Sequence, residues 1–490
     1  MRTTRATASA APSGAAPAAG GLPAFDERAL LRFVEERGGA LPEGLRVRDA
    51  RGGAAAGVNS SGRYYLALEA GDDGGEGPLR VPRECWMEPE RGWRRAELLE
   101  QFRASCEDPG AADCVSRPWV VLALRLLDEL QQGPSSAFAA YLPTLEFGGA
   151  GAAPAPYLRA LAAVGDAAGA EGLQLAQTCL QYREFVGAVW DRLADAGTGL
   201  VGLHADAFPA GQYNLENFLW AFSVLRARTF HPLVGDDIAL VPLLDLAAHE
   251  PDSARWQRRR GVFGKEGVEL AGGYARRAGP GRAVCMRFDD PSANLTTSQL
   301  LLDYGVVEEA VWQAGRRVGF QLTLSLDEDD PNYDDKLDVL EAEGLGGSAT
   351  FHLSGGAPPD AMLPFLRLVN LAGADAFLLE AVFRQKVWGF MKLPVSRENE
   401  ECVCTSMIDG SKEALACMPR AAGAPGAGDI LSVAAMAEQG AVLATLDFFE
   451  SQLAVLGELE YYQERRLKEL NLIDRDGQST YDPWDDMTIA

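Results

Sequence analysis

The sequence predicts an α+β protein in which short strands flank a long helical insertion and an all-helical region completes the chain. Three observations carry this. Apolar residues form short strand-like runs at residues 63–68, 79–81, 238–246, 283–288 and 320–326. Across residues 93–225, and again from Asp335 onward, they recur every three or four positions, the spacing of one helical face. Strands and helices do not alternate one for one, which argues against a doubly wound nucleotide fold. The Gly-rich segments lack G-x-G-x-x-G and the phosphate-loop lysine pattern.

In chain order, residues 25–37 read as an amphipathic helix, followed by a Gly-rich stretch at 51–89 that the first two strands interrupt. Trp119, Leu122, Leu126 and Leu130 share a helical face, with Ser116 and Pro118 as start signals. A Gly/Ala/Pro loop breaks the insertion at 148–156. The cleanest strand is 320–326, where Phe320, Leu322, Leu324 and Leu326 alternate with Gln321, Thr323 and Ser325 before the acidic turn at 327–332. Asp375 is a candidate cap for a helix burying Leu379, Val382, Phe383 and Val387, with Glu380 and Arg384 paired outside. Residues 421–428 read as a loop insertion. In the last helix Leu446, Phe449, Leu453, Leu456, Leu459 and Tyr462 form one buried stripe, and Glu464 precedes Lys468 by four residues on the wet side.

With 490 residues, 47% hydrophobic and 23% charged, the chain is globular and long enough for two or three domains. Its formal net charge of -25 argues against a nucleic-acid partner. The basic runs at 258–260 and 465–468 are short, and 256–260 reads as a solvated loop. Eight cysteines in so long a chain do not make a disulfide framework, which fits a reducing compartment. The pair Cys402 and Cys404, on a short strand or helix end, lacks the second pair that zinc would need, so no metal is expected. No apolar run reads as long enough to span a bilayer, and no membrane partner is expected. The first 25 residues carry Arg2 and Arg5, many Ala, Ser and Thr, and no acid before Asp26. That is the composition of an organelle transit peptide or of a disordered tail.

Several separated segments resemble one family. Residues 218–230 (FLWAFSVLRARTF), 240–249 (LVPLLDLAAH) and 300–307 (LLLDYGVV) are similar, in order and spacing, to the core of SET-domain lysine methyltransferases. The branch is that of the plant Rubisco large-subunit and aldolase lysine methyltransferases. Residues 335–345, 375–388, 393–404 and 459–472 resemble that branch's helical substrate-binding domain. The resemblance implies a SET domain at residues 26–310, with twisted sheets around a knot-like crossing and a helical insertion at about 93–217. It implies a helical lobe at 335–475, a tail at 476–490, and residues 1–25 as the transit peptide or tail. It further implies S-adenosylmethionine as cofactor and methyl transfer to a lysine of a chloroplast protein, such as the Rubisco large subunit or fructose-bisphosphate aldolase. The compartment would be the stroma, or the cytoplasm if the N-terminus is only a tail.

Residue by residue, Arg228 with Ala227 matches the family's Ser-Arg pair, whose arginine region contacts the cofactor. Asp245 matches the aspartate before the family's Asn-His, and His249 matches that histidine, whose backbone helps hold the adenine. Tyr304 matches the catalytic tyrosine lining the methyl-transfer channel. Ala248 stands where the family has Asn in the cofactor site, Phe288 where a second channel tyrosine lends its hydroxyl, and Thr296-Thr297 where it has Ser-Asn. Ser61-Gly62-Arg63 is the best match to the cofactor loop. Losing one hydrogen bond to a charged group costs about 1.5–3 kcal/mol, roughly ten- to hundredfold in affinity. These departures leave a second expectation open, a non-catalytic protein-binding module that keeps the docking lobe without cofactor chemistry.

Overall fold

The computed structural model describes residues 24–469, apart from 51–61, 70–76, 94, 106–116, 148–154, 167–171, 231–237, 261–265, 279–280, 289–294, 309–317, 356, 381, 384–385 and 420–429. The candidate transit segment, the tail and the loop at 421–428 therefore lie outside the described residues. The chain divides into two compact units. The first comprises Met1–Asp166, Gln177–Asn294 and Gln299–Glu308, and the second Ala167–Ala176, Leu295–Ser298 and Glu309–Ala490.

In the first unit, helix α1 (Glu27–Glu35) starts where the Asp26 carboxylate accepts the Arg28 and Ala29 N–H groups, and it buries Leu30, Phe33 and Val34. Strands β1 (Leu45–Asp49) and β2 (Tyr64–Leu68) pair antiparallel, Val47 opposite Leu66. β3 (Leu79–Pro82) starts a separate sheet. The insertion follows as α2 (Ala96–Ser105), α3 (Pro118–Gln132), α4 (Pro156–Asp166), α5 (Gln174–Ala194), the short α6 (Leu200–Leu203) and α7 (Leu215–Arg228). α3 starts with Pro118 at its first turn, as expected, though Arg117 rather than Ser116 precedes it. It is buried from Val120 to Leu130, so its expected single face is part of an element enclosed on all sides. α7 is capped by Asn214, whose side chain accepts the Asn217 N–H.

After α7 the strands are short: β4 (Thr229–Phe230), β5 (Ala239–Leu240), β6 (Ala248–His249), β7 (Gln257–Arg260), β8 (Glu266–Leu270), β9 (Ala275–Ala278) and β10 (Gly281–Met286). The main sheet runs β1-β2-β10-β6, with β9 also antiparallel on β10, and a second sheet runs β3-β8-β7. β6 lies parallel to β10, placing Ala248 opposite Cys285 and His249 opposite Met286.

Three local expectations are corrected here. The strand expected at 238–246 reduces to β5, because Pro242 has no N–H to donate and Leu243 sits at φ 76°, ψ -52°, in the γ-turn region. A 3-10 turn, Leu244–Leu246, follows. The strand at 283–288 starts earlier and ends at Met286, leaving Phe288 beyond it. Residues 257–260 form β7 rather than a solvated loop, with Arg258 bonded to Glu266 at 2.8 Å across the β7–β8 pair.

The second unit is mainly helical: α8 (Thr297–Tyr304) begins in it, and α9 (Tyr333–Ala342), α10 (Met362–Val369), α11 (Val387–Met391), α12 (Arg397–Cys417) and α13 (Ile430–Glu469) follow. It is not all-helical from Asp335, because β11 (Phe320–Ser325) pairs antiparallel with β12 (Ser348–Leu353), Leu322 opposite Phe351. The expected alternation in β11 holds, and its partner's Phe351 and Leu353 complete the buried face. The helix expected after Asp375 is instead a 3-10 segment, Gly373–Leu379, that leaves Val382 82% exposed. Gly373 at φ 57° starts this tighter segment, and the Asp375 carboxylate accepts the Ser396 hydroxyl at 2.5 Å instead of capping a long helix. Cys402 and Cys404 lie inside α12.

On α13, Phe449 is buried and Leu446, Leu453 and Leu456 pack against the same core, as the stripe predicts. Its residues Leu431–Glu458 reach a mean hydropathy of 1.2, so this helix is long and apolar enough to cross a bilayer by length and composition, contrary to the sequence expectation. That stripe packs on protein.

Glu438 on α13 is fully buried and accepts the N–H groups of Gln174 (2.7 Å) and Leu175 (2.9 Å) and the Ser298 hydroxyl (2.8 Å). Burial pushes its pKa above the ordinary carboxylate range, against the lowering by those hydrogen bonds. Its contribution to stability is then complete below the ordinary carboxylate pKa and is lost as pH rises toward the folded-state value. Urea unfolding of wild type and Glu438→Gln from pH 4 to pH 7 should show the wild type losing stability relative to the variant as pH rises. A difference independent of pH would refute the shift.

Candidate active site

The end of α7 organises the site. Arg226 and Arg228 are two residues apart, about 200° around the helix, so they address different partners. Arg228 is buried and donates to Asp245 Oδ2 at 3.4 Å. Arg226 donates from Nε to Asp303 Oδ1 at 2.5 Å, and its guanidinium lies 4.6 Å from the Tyr182 ring centroid.

Asp245 sits in the 3-10 turn that Leu243 introduces. Tyr141, fully buried, donates its hydroxyl to Asp245 Oδ2 at 2.7 Å. The other oxygen, Oδ1, is buried with no hydrogen-bond partner among the described residues, an expensive condition unless something else meets it. Burial raises the Asp245 pKa, and Arg228 and Tyr141 pull it back. Burial and the neighbouring carboxylate hold the Tyr141 phenol well above its ordinary range. Gly62 lies against Arg228, where any side chain would strike the guanidinium.

A second group begins four residues on. His249 Nδ1 accepts the Phe288 N–H at 3.2 Å, which puts the ring proton on Nε2, donated to Glu308 Oε1 at 2.7 Å. The His249 and Phe288 rings lie 5.1 Å apart, and those of Phe288 and Tyr304 5.2 Å. Tyr304 ends α8, and Gly305 follows at φ 69°, packed so closely on Pro156 and Arg159 that no Cβ fits. A cavity of about 300 Å³ beside Tyr304 is lined by Trp119, Tyr182, Phe185, Phe222, Arg226 and Asp303.

The predicted residues thus fall into two joined groups: Arg228 with Asp245, and His249 with Phe288 and Tyr304. They are joined by residues 245–249 of the chain and by the α7 terminus, whose Arg226 grips the residue before Tyr304. Ala248 is buried among Tyr65, Ala67, Ala283 and Cys285, so its methyl group faces small apolar side chains. Of the weakly matched loop, Gly62 lies at the site, Arg63 pairs with Asp49 at 2.6 Å, and Ser61 lies outside the described residues. Thr296 and Thr297 are both buried. Tyr141, Arg226, Asp303 and Glu308 were missed. Arg226 and Asp303 stand inside the segments that carried the resemblance, but nothing in their spacing pairs them. Tyr141 carries no local signal.

Comparison with known proteins shows the family. A family model described as Rubisco LSMT substrate-binding matches residues 327–423. The chloroplastic [fructose-bisphosphate aldolase]-lysine N-methyltransferase of Arabidopsis thaliana is 30% identical over 481 residues, 92% of each chain. The chloroplastic ribulose-1,5 bisphosphate carboxylase/oxygenase large subunit N-methyltransferase of Pisum sativum is 34% identical over 324 residues, 63% of this chain and 64% of that one. Among solved structures, the SET domain of LSMT bound to lysine and AdoHcy superposes with a TM-score of 0.68 at 26% identity, covering 94% of this chain and 98% of that one. Rubisco LSMT bound to AdoMet gives 0.64 at 26% identity, over 92% and 97%.

Fold and site together define a SET-domain protein-lysine methyltransferase. Within that class, the chain belongs to the family of the Rubisco large-subunit and fructose-bisphosphate aldolase lysine N-methyltransferases.

Removing the Tyr141 hydroxyl strips Asp245 of its shortest hydrogen bond at a buried site. Tyr141→Phe should lower the unfolding free energy by about 1.5–3 kcal/mol, measured in urea. A loss below about 0.5 kcal/mol would mean that the bond holds no charged carboxylate.

Proposed function

We propose that this chain is an S-adenosylmethionine-dependent protein-lysine N-methyltransferase of the chloroplast stroma. Its substrate would be a folded protein such as the Rubisco large subunit or fructose-bisphosphate aldolase, the proteins its relatives are named for. Residues 26–310 would form the SET domain, with its helical insertion at about 93–217, and residues 335–475 the substrate-binding lobe. The observation that carries the reading is the α7 terminus, with Arg228 on Asp245 and Arg226 on the residue preceding Tyr304.

Two features support a cofactor beside Arg228. The Arg228 guanidinium packs on the Gly62 backbone with no side chain between them, and Asp245 Oδ1 is buried without a partner among the described residues. Arg228 would hold the cofactor's carboxylate, Asp245 its ammonium group, and the His249 backbone its adenine, with Ala248 contributing main chain only. S-adenosylmethionine, when bound, supplies a methyl group on a positively charged sulfur. The chain's own work is then to bring in a lysine, dry it and aim it. The Phe288 ring between His249 and Tyr304 keeps water from one wall, which favours the neutral amine over the ammonium form. The Tyr304 hydroxyl would orient that amine, so rate would come from alignment and from fixed dipoles.

Ala248 in its apolar cluster and Phe288 without a hydroxyl favour one competing reading, a protein-binding module without cofactor chemistry. Calorimetric titration with S-adenosylmethionine separates the two: micromolar-range affinity is expected, and no binding at millimolar cofactor would leave the competing reading. Tyr304→Phe should lower kcat by about a hundredfold or more while cofactor affinity stays nearly intact. Unchanged turnover would remove Tyr304 from its role.

A further inference from the structure

One surface of the second unit differs in chemistry from the rest of the chain. Residues 377–397 hold four cations (Arg384, Lys386, Lys392 and Arg397) against one acid, Glu380, in a chain with 70 acids and 45 bases. Among the described residues ten large apolar side chains are strongly exposed, and four of them fall here: Phe377, Val382, Phe390 and Leu393. They form one patch. The Phe383 ring lies 5.9 Å from Phe377 and 6.5 Å from Phe390, and the Leu393 N–H bonds to the Phe390 carbonyl at 3.1 Å. Val382 adjoins Phe383 in sequence and is 82% exposed, and Leu393 is 69% exposed.

Lys386 and Lys392 flank this patch. Lys386 and Lys392 cap the two ends of α11 and are exposed, with no ion pair to a carboxylate among the described residues. Arg397, by contrast, is held by Glu401 at 2.8 Å. A contiguous apolar patch of this kind on a chain's surface marks an interaction site more often than chance exposure. Its aromatic floor and polar rim match the anatomy of a protein interface.

We propose that this cation-flanked apolar patch docks an acidic face of the folded protein substrate, an inference that rests on the methyltransferase reading above. Charge complementarity identifies the occupant. With a net charge of -25, the chain repels an acidic partner over most of its surface. Among the described residues Lys386 and Lys392 lack the carboxylate partners that neutralise other cations, so an approaching carboxylate is attracted there and the patch fixes its orientation. The whole patch lies within the residues 327–423 that match a substrate-binding family model.

The test uses the full chain against immobilised Rubisco and fructose-bisphosphate aldolase holoenzymes, by surface plasmon resonance at low and high salt. Wild type should bind one of them, more weakly as salt rises. K386E/K392E should weaken that binding at least about tenfold and flatten its salt dependence. V382S/L393S should weaken it similarly while the salt dependence remains, and melting temperatures equal to wild type show that both variants fold. The docking inference is overturned if wild type binds neither holoenzyme, or if both variants bind as wild type does. It is also overturned if the patch instead holds anionic phospholipid vesicles, or if it joins two copies of this chain that V382S/L393S separates. Cofactor titration of the same samples reads the enzyme assignment independently, so failed cofactor binding with docking intact would sink only the methyltransferase reading.

Discussion

Two ion pairs at the end of one helix set the geometry on which the site depends. Arg228 with Asp245 and Arg226 with Asp303 both leave α7 within its last turn, in opposite directions. Neither is an economical source of stability, since desolvating two charges offsets most of their attraction. Breaking the Arg228–Asp245 pair, however, strands a charge away from water, and breaking the Arg226–Asp303 pair leaves one only partly solvated. That asymmetry suits positioning: the arrangement adds little to folding, yet any displacement of one partner is strongly penalised. Asp303 also lies in the last turn of α8, where the helix dipole disfavours an anion, so Arg226 holds it against a local preference. The next residue is Tyr304.

Several local costs fall together between Leu243 and His249. Leu243 takes a backbone conformation rare for a side chain of its size, Asp245 keeps one buried oxygen without a partner, and a two-residue strand ends in a buried histidine. An isolated departure of this kind is unremarkable. Three in one short segment, next to a glycine on whose backbone an arginine packs directly, are what a ligand-shaped surface requires. The surrounding elements hold them in place: β6 is pinned by its parallel register with β10, and Tyr141 reaches Asp245 from the helical insertion.

Much of this was legible in the sequence. The strands at residues 64–68 and 79–82 follow from short apolar runs, and the helical insertion and the C-terminal stripe from three-to-four-residue spacing. Arg228, Asp245, His249 and Tyr304 came from family likeness, not from pattern. What stayed hidden was tertiary. β12 has a strand's chemistry but lies amid helical periodicity, and only its partner β11 stabilises it. The helix expected after Asp375 gives way to a 3-10 segment, in which Leu379 and Val387 still reach the core while Val382 faces solvent. Tyr141 and Glu308 are ordinary residues whose significance is a distance to a residue 104 or 59 positions away.

The substitution at Phe288 cuts both ways in the proposed chemistry. Its ring preserves the stack from His249 to Tyr304, so channel geometry survives the missing hydroxyl. A wall with one polar atom fewer is drier, which raises the cost of an ammonium and enlarges the fraction of neutral amine. The same loss removes an oxygen that could face positive charge as it moves from sulfur to nitrogen. The first effect acts on the ground state and diminishes as pH rises and the free amine becomes abundant. The second acts on the barrier at every pH. Tyr304 alone among the three stacked rings carries a hydroxyl, so under the proposed chemistry it would be the one to aim the amine, with Asp303 on one side and Gly305 on the other setting its place.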